Sequence, residues 1–259
     1  MSMPSALDLT GQRVVIVGGT SGMGLAIAEL SMTLGADIAI AARTASRVQL
    51  VAEDFSARFG RPVQSAALDI ADRPAVADFF ESLGAFEHLV LPGSEVIPRR
   101  YDDLTDEIAR ASFDSKFWGP FWAAFDARPH LSAGGSVTFF SGVAADRPVP
   151  GFVIGAGING ALNALTRSLA LEFGPLGVRV NCLAPGAVRT PLWDNIDHGL
   201  SSDEMATRAV ASLPLRRVGT AEDCALACVL LMLNKFVTGE VLGVDGGAES
   251  IPLSHVEKA

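Results

Sequence analysis

Gly18, Gly22 and Gly24 stand directly after the branched apolar run Val14-Val15-Ile16-Val17. Glycines at that spacing let a main chain approach a large anion closely. Thr20, Ser21 and Met23 fill the rest of the loop, and an apolar helical pattern, Leu25, Ile27, Ala28 and Leu30, begins at once. Strand, glycine loop and helix start together predict a cradle for a pyrophosphate, held on the free N–H groups of the helix N-terminus. The alternative is an ordinary tight turn.

Two cations bear on the same chemistry. A second apolar strand, about 37–41, runs into Ala42-Arg43-Thr44. In dinucleotide folds the end of this strand meets the adenosine ribose, where an acid binds the 2′-hydroxyl and repels a 2′-phosphate. No acid stands there. Arg43 does, which favours NADP(H) over NAD(H), with a surface arginine at a helix start as the alternative. The chain holds three lysines, Lys116, Lys235 and Lys258, and Lys116 lies inside Phe113-Asp114-Ser115-Lys116-Phe117-Trp118-Gly119-Pro120-Phe121-Trp122. Desolvation among aromatic rings lowers a lysine pKa. Lys116 therefore reads as a cation or proton donor in a site, or else as a lysine that snorkels to solvent. Pro120 removes the helical hydrogen bond to the Lys116 carbonyl, so a kink and a free carbonyl are expected there.

The elements that must position these residues alternate strand and helix from end to end. Strands are expected near 13–18, 37–41, 63–67, 88–91 and 136–140, and helices over 22–34, 45–59, 73–83, 102–127, 152–173 and 221–233. Such alternation implies βαβ units and a parallel sheet, in one α/β domain spanning 1–259. The 259 residues suffice for a large core, and a hydrophobic fraction of 49% suits a sheet covered on both faces. A net charge of −9 argues against nucleic acid or an anionic membrane surface as partner. No apolar run reaches transmembrane length, and Met1 to Asp8 carries no secretion signal. Three cysteines make no disulfide framework, which points to a reducing cytoplasm. Cys224 and Cys228 read as small core residues rather than a metal pair, so no metal site is expected.

Gly18-x3-Gly22-x-Gly24 resembles the loop of the short-chain dehydrogenase/reductase family, with Val17 in place of the family's leading Thr. Further stretches resemble the same family in the same order. Leu68-Asp69-Ile70 is similar to its Asp-hydrophobic pair at the adenine. Leu91-Pro92-Gly93-Ser94 stands where it has Asn-Asn-Ala-Gly. Pro185-Gly186-Ala187-Val188-Arg189-Thr190 is similar to its turn at the nicotinamide, and Asp245-Gly246-Gly247 to its last strand ending. The resemblance runs from about Leu9 to Gly247. It implies a Rossmann-like, doubly wound, seven-stranded parallel sheet flanked by helices. It also implies a substrate lid at 192–213 carrying Trp193, His198 and Met205, and homodimers or homotetramers formed through helices 102–127 and 152–173 and the last strand.

The family's proton chemistry does not map onto these residues. Its Tyr falls at Gly155, its Lys at Asn159, its Ser at Gly142 and its Asn at Lys116, and Tyr101 is the single tyrosine of the chain. Lys116 and Ser141 are left as catalytic candidates. Asn159 is expected to bind the nicotinamide ribose hydroxyls, and Trp118, Phe152 and Trp193 to make the pocket apolar. The leading expectation is an NADP(H)-dependent oxidoreductase with an atypical site, acting on a small apolar carbonyl or activated double bond. A catalytically inactive NADP(H)-binding homologue, and a lyase or isomerase using the same cleft, are the alternatives.

Overall fold

A computed structural model describes residues 7–92, Val96, 99–191 and 201–250. Seven parallel strands form one sheet in the order β3-β2-β1-β4-β5-β6-β7. They are β1 (Arg13–Val17), β2 (Asp37–Ala42), β3 (Gln64–Ala67), β4 (Phe86–Leu91), β5 (Leu131–Phe140), β6 (Arg179–Pro185) and β7 (Val241–Val244). The helices are α1 (Gly22–Thr33), α2 (Ala45–Phe59), α3 (Arg73–Leu83), α4 (Asp106–Phe113), α5 (Gly119–Ala127), α6 (Val153–Phe173), α7 (Ser202–Ser212) and α8 (Ala221–Leu233). The order reverses between β1 and β4, and ligands of such sheets bind outside the strand ends at that switch.

The period-2 alternation of β1 sorts its side chains between two cores. Val15 and Val17 join Phe80, Phe86, Phe139 and Ile158 on the face covered by α3, α5 and α6. Val14 and Ile16 join Ile27, Ile40, Phe55 and Cys228 on the face covered by α1, α2 and α8. Cys182, Cys224 and Cys228 are all buried and reduced. Helix starts are locally encoded. Asp72 caps α3 by accepting from the Ala75 N–H at 3.3 Å, and Thr220 and Asp223 cap α8 reciprocally.

The segment expected as one helix over 102–127 is not one helix. Tyr101–Asp103 form a short tight turn, α4 follows, and Asp114–Trp118 form a π-turn before α5. The Gly119 N–H reaches back five residues to the Asp114 carbonyl. A wider turn inserts one extra residue into the helix, which re-aims its side chains. The irregularity thus lies where Pro120 was expected to force it, but it is a bulge rather than a plain proline kink. Residues 192–200 of the expected lid, with Trp193 and His198, lie outside the described residues, as do Gly93 and Ser94. Most of the rest of that expected segment is α7, where Asp203 Oδ1 accepts from Arg189 Nη2 at 2.8 Å.

At the opposite edge of the sheet, two polar clusters are built into the core. Arg179, at the start of β6, donates to the Leu231 and Met232 carbonyls at the end of α8. His88 on β4 is enclosed, with Nε2 2.7 Å from Gln12 Oε1 and Nδ1 2.8 Å from Ser136 Oγ. The Gln12 oxygen can only accept, so the ring proton sits on Nε2. Burial pushes the His88 pKa down to about 3, helped by the nearby Arg179 charge. The unfolded chain therefore binds a proton at His88 near pH 6.5 that the folded chain refuses until about pH 3. Stability from this residue is fully present above pH 6.5 and is lost as the pH falls. We expect denaturant titrations between pH 6.5 and 4 to give a loss approaching ~1.4 kcal/mol per pH unit from this residue. His88→Gln should flatten that slope while lowering stability at pH 7, and an unchanged slope would assign the acid loss to other groups.

Candidate functional site

The glycine loop is shaped by close approach. A Cβ on Gly24 would lie 2.1 Å from the Gly18 carbonyl oxygen and 3.1 Å from the Pro92 ring. Gly18 and Gly22 adopt φ of 113° and 51°, a region that disfavours side chains. The Gly18 N–H donates to the Ala41 carbonyl at 2.7 Å, which joins the loop to the end of β2. At the start of α1 the Ser21 side chain makes no capping bond and no acid stands in the first turn. The helix N-terminus is thus left for an external anion. Thr20 is buried, while Ser21, Gly22 and Met23 are half-buried around the opening.

Other expected residues converge on the same edge. Arg43 and Thr44 are exposed just beyond β2, and Thr44 stands as the N-cap of α2 without a side-chain cap bond. Asp69 is exposed after β3, with Oδ1 accepting from the Ala71 N–H at 3.0 Å. Ile70 packs on the π-turn, where a Cβ on Gly119 would come within 2.9 Å of it. At the end of β6, Pro185 and Gly186 begin a turn in which a Cβ on Gly186 would lie 2.7 Å from the Asp245 Cα. Val188 is buried and pairs with Gly219. Thr190 returns over the glycine loop, with its side chain 3.4 Å from a Cβ placed on Gly22. Residues far apart in the chain therefore face one another across one cleft.

Behind that cleft lies a polar wall. Ser141 follows β5 and its N–H donates to the Leu183 carbonyl at 2.9 Å. The register Phe139↔Cys182 puts Ser141 and Cys182 on one face of the sheet. Ser141 Oγ and Asn159 Oδ1 are fully enclosed; the Ser141 hydroxyl faces the Cys182 thiol, and Asn159 Oδ1 lacks a hydrogen-bond partner among the described residues. The Asn159 amide fills the space in front of Gly142, where a Cβ would lie 2.9 Å from Nδ2. Cys182 Sγ faces Asn163 Oδ1 at 4.0 Å. Lys116 comes to this wall from the π-turn. Desolvation by burial pushes its pKa down to about 8, an effect that the Cys182 thiol partly opposes. Burial in turn raises the thiol pKa, so Cys182 is neutral. Cys182 and Asn163 carry no motif and were found only through the packing.

Three expectations need adjusting. Phe152 does not simply line a pocket: a Cβ on Gly155 would come within 2.5 Å of its ring. Trp118 turns outward, 44% exposed, and stacks edgewise on Phe117 and Phe121. Tyr101 opens a tight turn rather than a helix and is 74% exposed. Among the described residues no cluster of His, Cys, Asp and Glu is able to hold a metal. The loop geometry makes a specific demand. Gly24→Ala is expected to cost about 2 kcal/mol or more in urea unfolding and to abolish dinucleotide binding. A stable variant that still binds would mean that the loop relaxes around the added methyl.

Comparison with known proteins agrees with this geometry. A family model described as Enoyl-(Acyl carrier protein) reductase matches residues 17–249. The chain is 29% identical over 252 residues to a 2,3-dihydroxy-2,3-dihydro-p-cumate dehydrogenase of Pseudomonas putida, covering 94% of this chain and 96% of the relative. It is 31% identical over 246 residues to an uncharacterized oxidoreductase of Methylorubrum extorquens, covering 92% and 98%. Among solved structures, a small-chain dehydrogenase in complex with NADPH is 33% identical with a TM-score of 0.76, covering 93% of this chain and 99% of that one. A short-chain dehydrogenase from Burkholderia cenocepacia in complex with NADP is 30% identical with a TM-score of 0.83, covering 93% and 98%. Sheet order, cleft and matches across nearly the whole length agree, and the chain belongs to the short-chain dehydrogenase/reductase family of oxidoreductases.

Proposed function

We propose that this chain is an NADP(H)-dependent oxidoreductase with an atypical proton-handling site, acting on a small apolar carbonyl or an activated double bond. The observation that carries this reading is the uncapped start of α1 on the glycine loop, with Arg43 exposed just beyond β2. Free N–H groups at a helix N-terminus favour a bound phosphate. In this reading Gly18, Thr20, Ser21, Gly22, Met23 and Gly24 hold the pyrophosphate, and Arg43 and Thr44 hold the 2′-phosphate. Asp69 and Ile70 take the adenine, Asn159 the ribose hydroxyls, and Pro185, Gly186, Val188 and Thr190 the nicotinamide. NADPH supplies a hydride when bound.

The proton then has to come from this chain or from the substrate. Gly155 stands where the family resemblance predicts the tyrosine, and the single tyrosine is on an exposed turn. A substrate whose reduced anion is already stabilised suits such a site. Lys116, as a cation in a desolvated wall, stabilises the developing oxyanion, and Ser141 orients the oxygen. The Phe152 ring over Gly155 favours a second reading, an NADP(H)-binding homologue without turnover. We also infer a homodimer or homotetramer, because Trp118, Phe125, Leu171 and Phe236 leave apolar surface uncovered. The three buried free thiols suit a reducing cytoplasm.

Fluorescence titration with NADPH and NADH tests the cofactor choice. A phosphate contact worth about 1.5–3 kcal/mol makes NADPH bind roughly 10- to 100-fold tighter than NADH. Arg43→Asp should reverse the preference, and no change would remove Arg43 from phosphate recognition. NADPH consumption with quinone-like ketones and enones separates the two readings. Turnover that falls in Lys116→Met supports the oxidoreductase, whereas tight binding with no turnover across the panel supports the inactive homologue.

A further inference from the structure

Two glycines near the wall have the place of their missing side chains taken by a neighbour. A Cβ on Gly142, which follows β5, would lie 2.9 Å from Asn159 Nδ2 and 3.6 Å from the Pro185 carbonyl oxygen. The amide thus occupies the place of a side chain at 142, beside the end of β6. A Cβ on Gly155 would lie 2.5 Å from Cδ1 and 2.7 Å from Cε1 of the Phe152 ring. The ring thus occupies the place of a side chain at 155. Gly155 and Asn159 are both buried and stand four residues apart on α6, so they share one face of that helix. The position of Phe152 is fixed by its backbone. Its N–H donates to the Val149 carbonyl at 3.1 Å, its carbonyl accepts from the Ala156 N–H at 2.8 Å, and it pairs with Arg99 in an isolated bridge. Phe152 stays half-buried over the buried Gly155. Asn159 is 2% exposed, and its amide has no hydrogen-bond partner among the described residues. A buried amide in that state is costly, and a ligand oxygen in front of Gly142 removes the cost.

We propose that Asn159 Nδ2 and the Phe152 ring form the substrate end of the cleft, the amide donating to a carbonyl oxygen and the ring lying against the plane of a conjugated ketone. The proposal rests on the oxidoreductase reading and narrows its substrate class to flat, conjugated ketones. It adds a second role to Asn159, which that reading assigns to the ribose hydroxyls. An amide N–H is a neutral donor that stabilises a carbonyl oxygen as it gains negative charge. An aromatic ring favours an aromatic partner over a saturated one of the same skeleton, because offset and edge-on ring pairs gain energy beyond the area they bury. The two glycines permit the arrangement. A side chain at 142 must push the amide aside, and one at 155 must push the ring aside.

The test compares tetralone with decalone, two ketones on one skeleton of which only the first is aromatic. Their binding to the full-length protein, with NADP+ present, is measured by isothermal titration calorimetry, which needs no turnover. The wild-type chain should bind tetralone roughly 2- to 10-fold tighter than decalone. Phe152→Leu should erase that preference. Asn159→Leu, which keeps the volume without the N–H, should weaken both ketones roughly 2- to 10-fold. Gly142→Ala, whose methyl displaces the amide while Asn159 stays in the chain, should weaken both in the same way. Equal binding of the two ketones by the wild-type chain, or binding of neither, overturns the proposal without recourse to any variant. A preference that survives Phe152→Leu, or unchanged binding in Asn159→Leu or Gly142→Ala, also overturns it. NADPH consumption on the same preparations keeps the two readings apart. The expected binding pattern without consumption leaves the ketone site standing and removes the oxidoreductase, whereas consumption with equal binding of both ketones does the reverse.

Discussion

The backbone contact between the end of β1 and the start of α1 sets the rest of the site. Gly24 passes so near the Gly18 carbonyl that no side chain fits between them. That approach packs α1 on the sheet and leaves its first turn facing outward without a cap. The field of the helix N-terminus is then directed at one place, the switch point where β1 separates β2 from β4. Arg43, Asp69 and Thr190 stand at loop positions arranged around that point.

The wall behind the cleft follows a different logic. A buried sheet needs apolar side chains on both faces, and most of the chain supplies them. At the carboxyl ends of β5 and β6 the pattern breaks: Ser141, Cys182, Asn159 and Asn163 bring polar atoms into a desolvated space. Folding does not require these atoms there, and it leaves the Asn159 amide oxygen without a partner among the described residues. Sites of function are where local rules of burial are broken at a cost. The depressed pKa of Lys116 has the same origin, because the environment that deprives Ser141 of water also disfavours an ammonium.

Much of this was legible in the sequence, for stated reasons. The apolar run Val14–Val17 followed by glycines carries strand, loop and helix in neighbouring residues, and strand order follows from repeated βαβ units. The irregularity near Lys116 was readable because Pro120 cannot donate a hydrogen bond, although proline chemistry alone does not distinguish a kink from the π-turn at Asp114–Trp118. The ring of Phe152 over Gly155 was not legible. It depends on a side-chain direction set by the chain's path before α6, which no periodicity encodes. Cys182 and Asn163 were hidden for a similar reason, since their meeting depends on the docking of α6 against β6.

Thr190 lying over Gly22 has a consequence for how the molecule comes into being on the ribosome. The first loop emerges well before the turn that closes it, which follows the sixth strand. Parallel sheets cannot pair neighbouring strands through short hairpins, so this contact is among the late ones to form. Arg179 adds a later clamp, because its guanidinium needs the carbonyls at the end of α8 before β6 is secured. A nascent chain that already carries its glycine loop therefore has no finished nucleotide cleft. The cleft is completed only once β6, its following turn and α8 have joined the sheet.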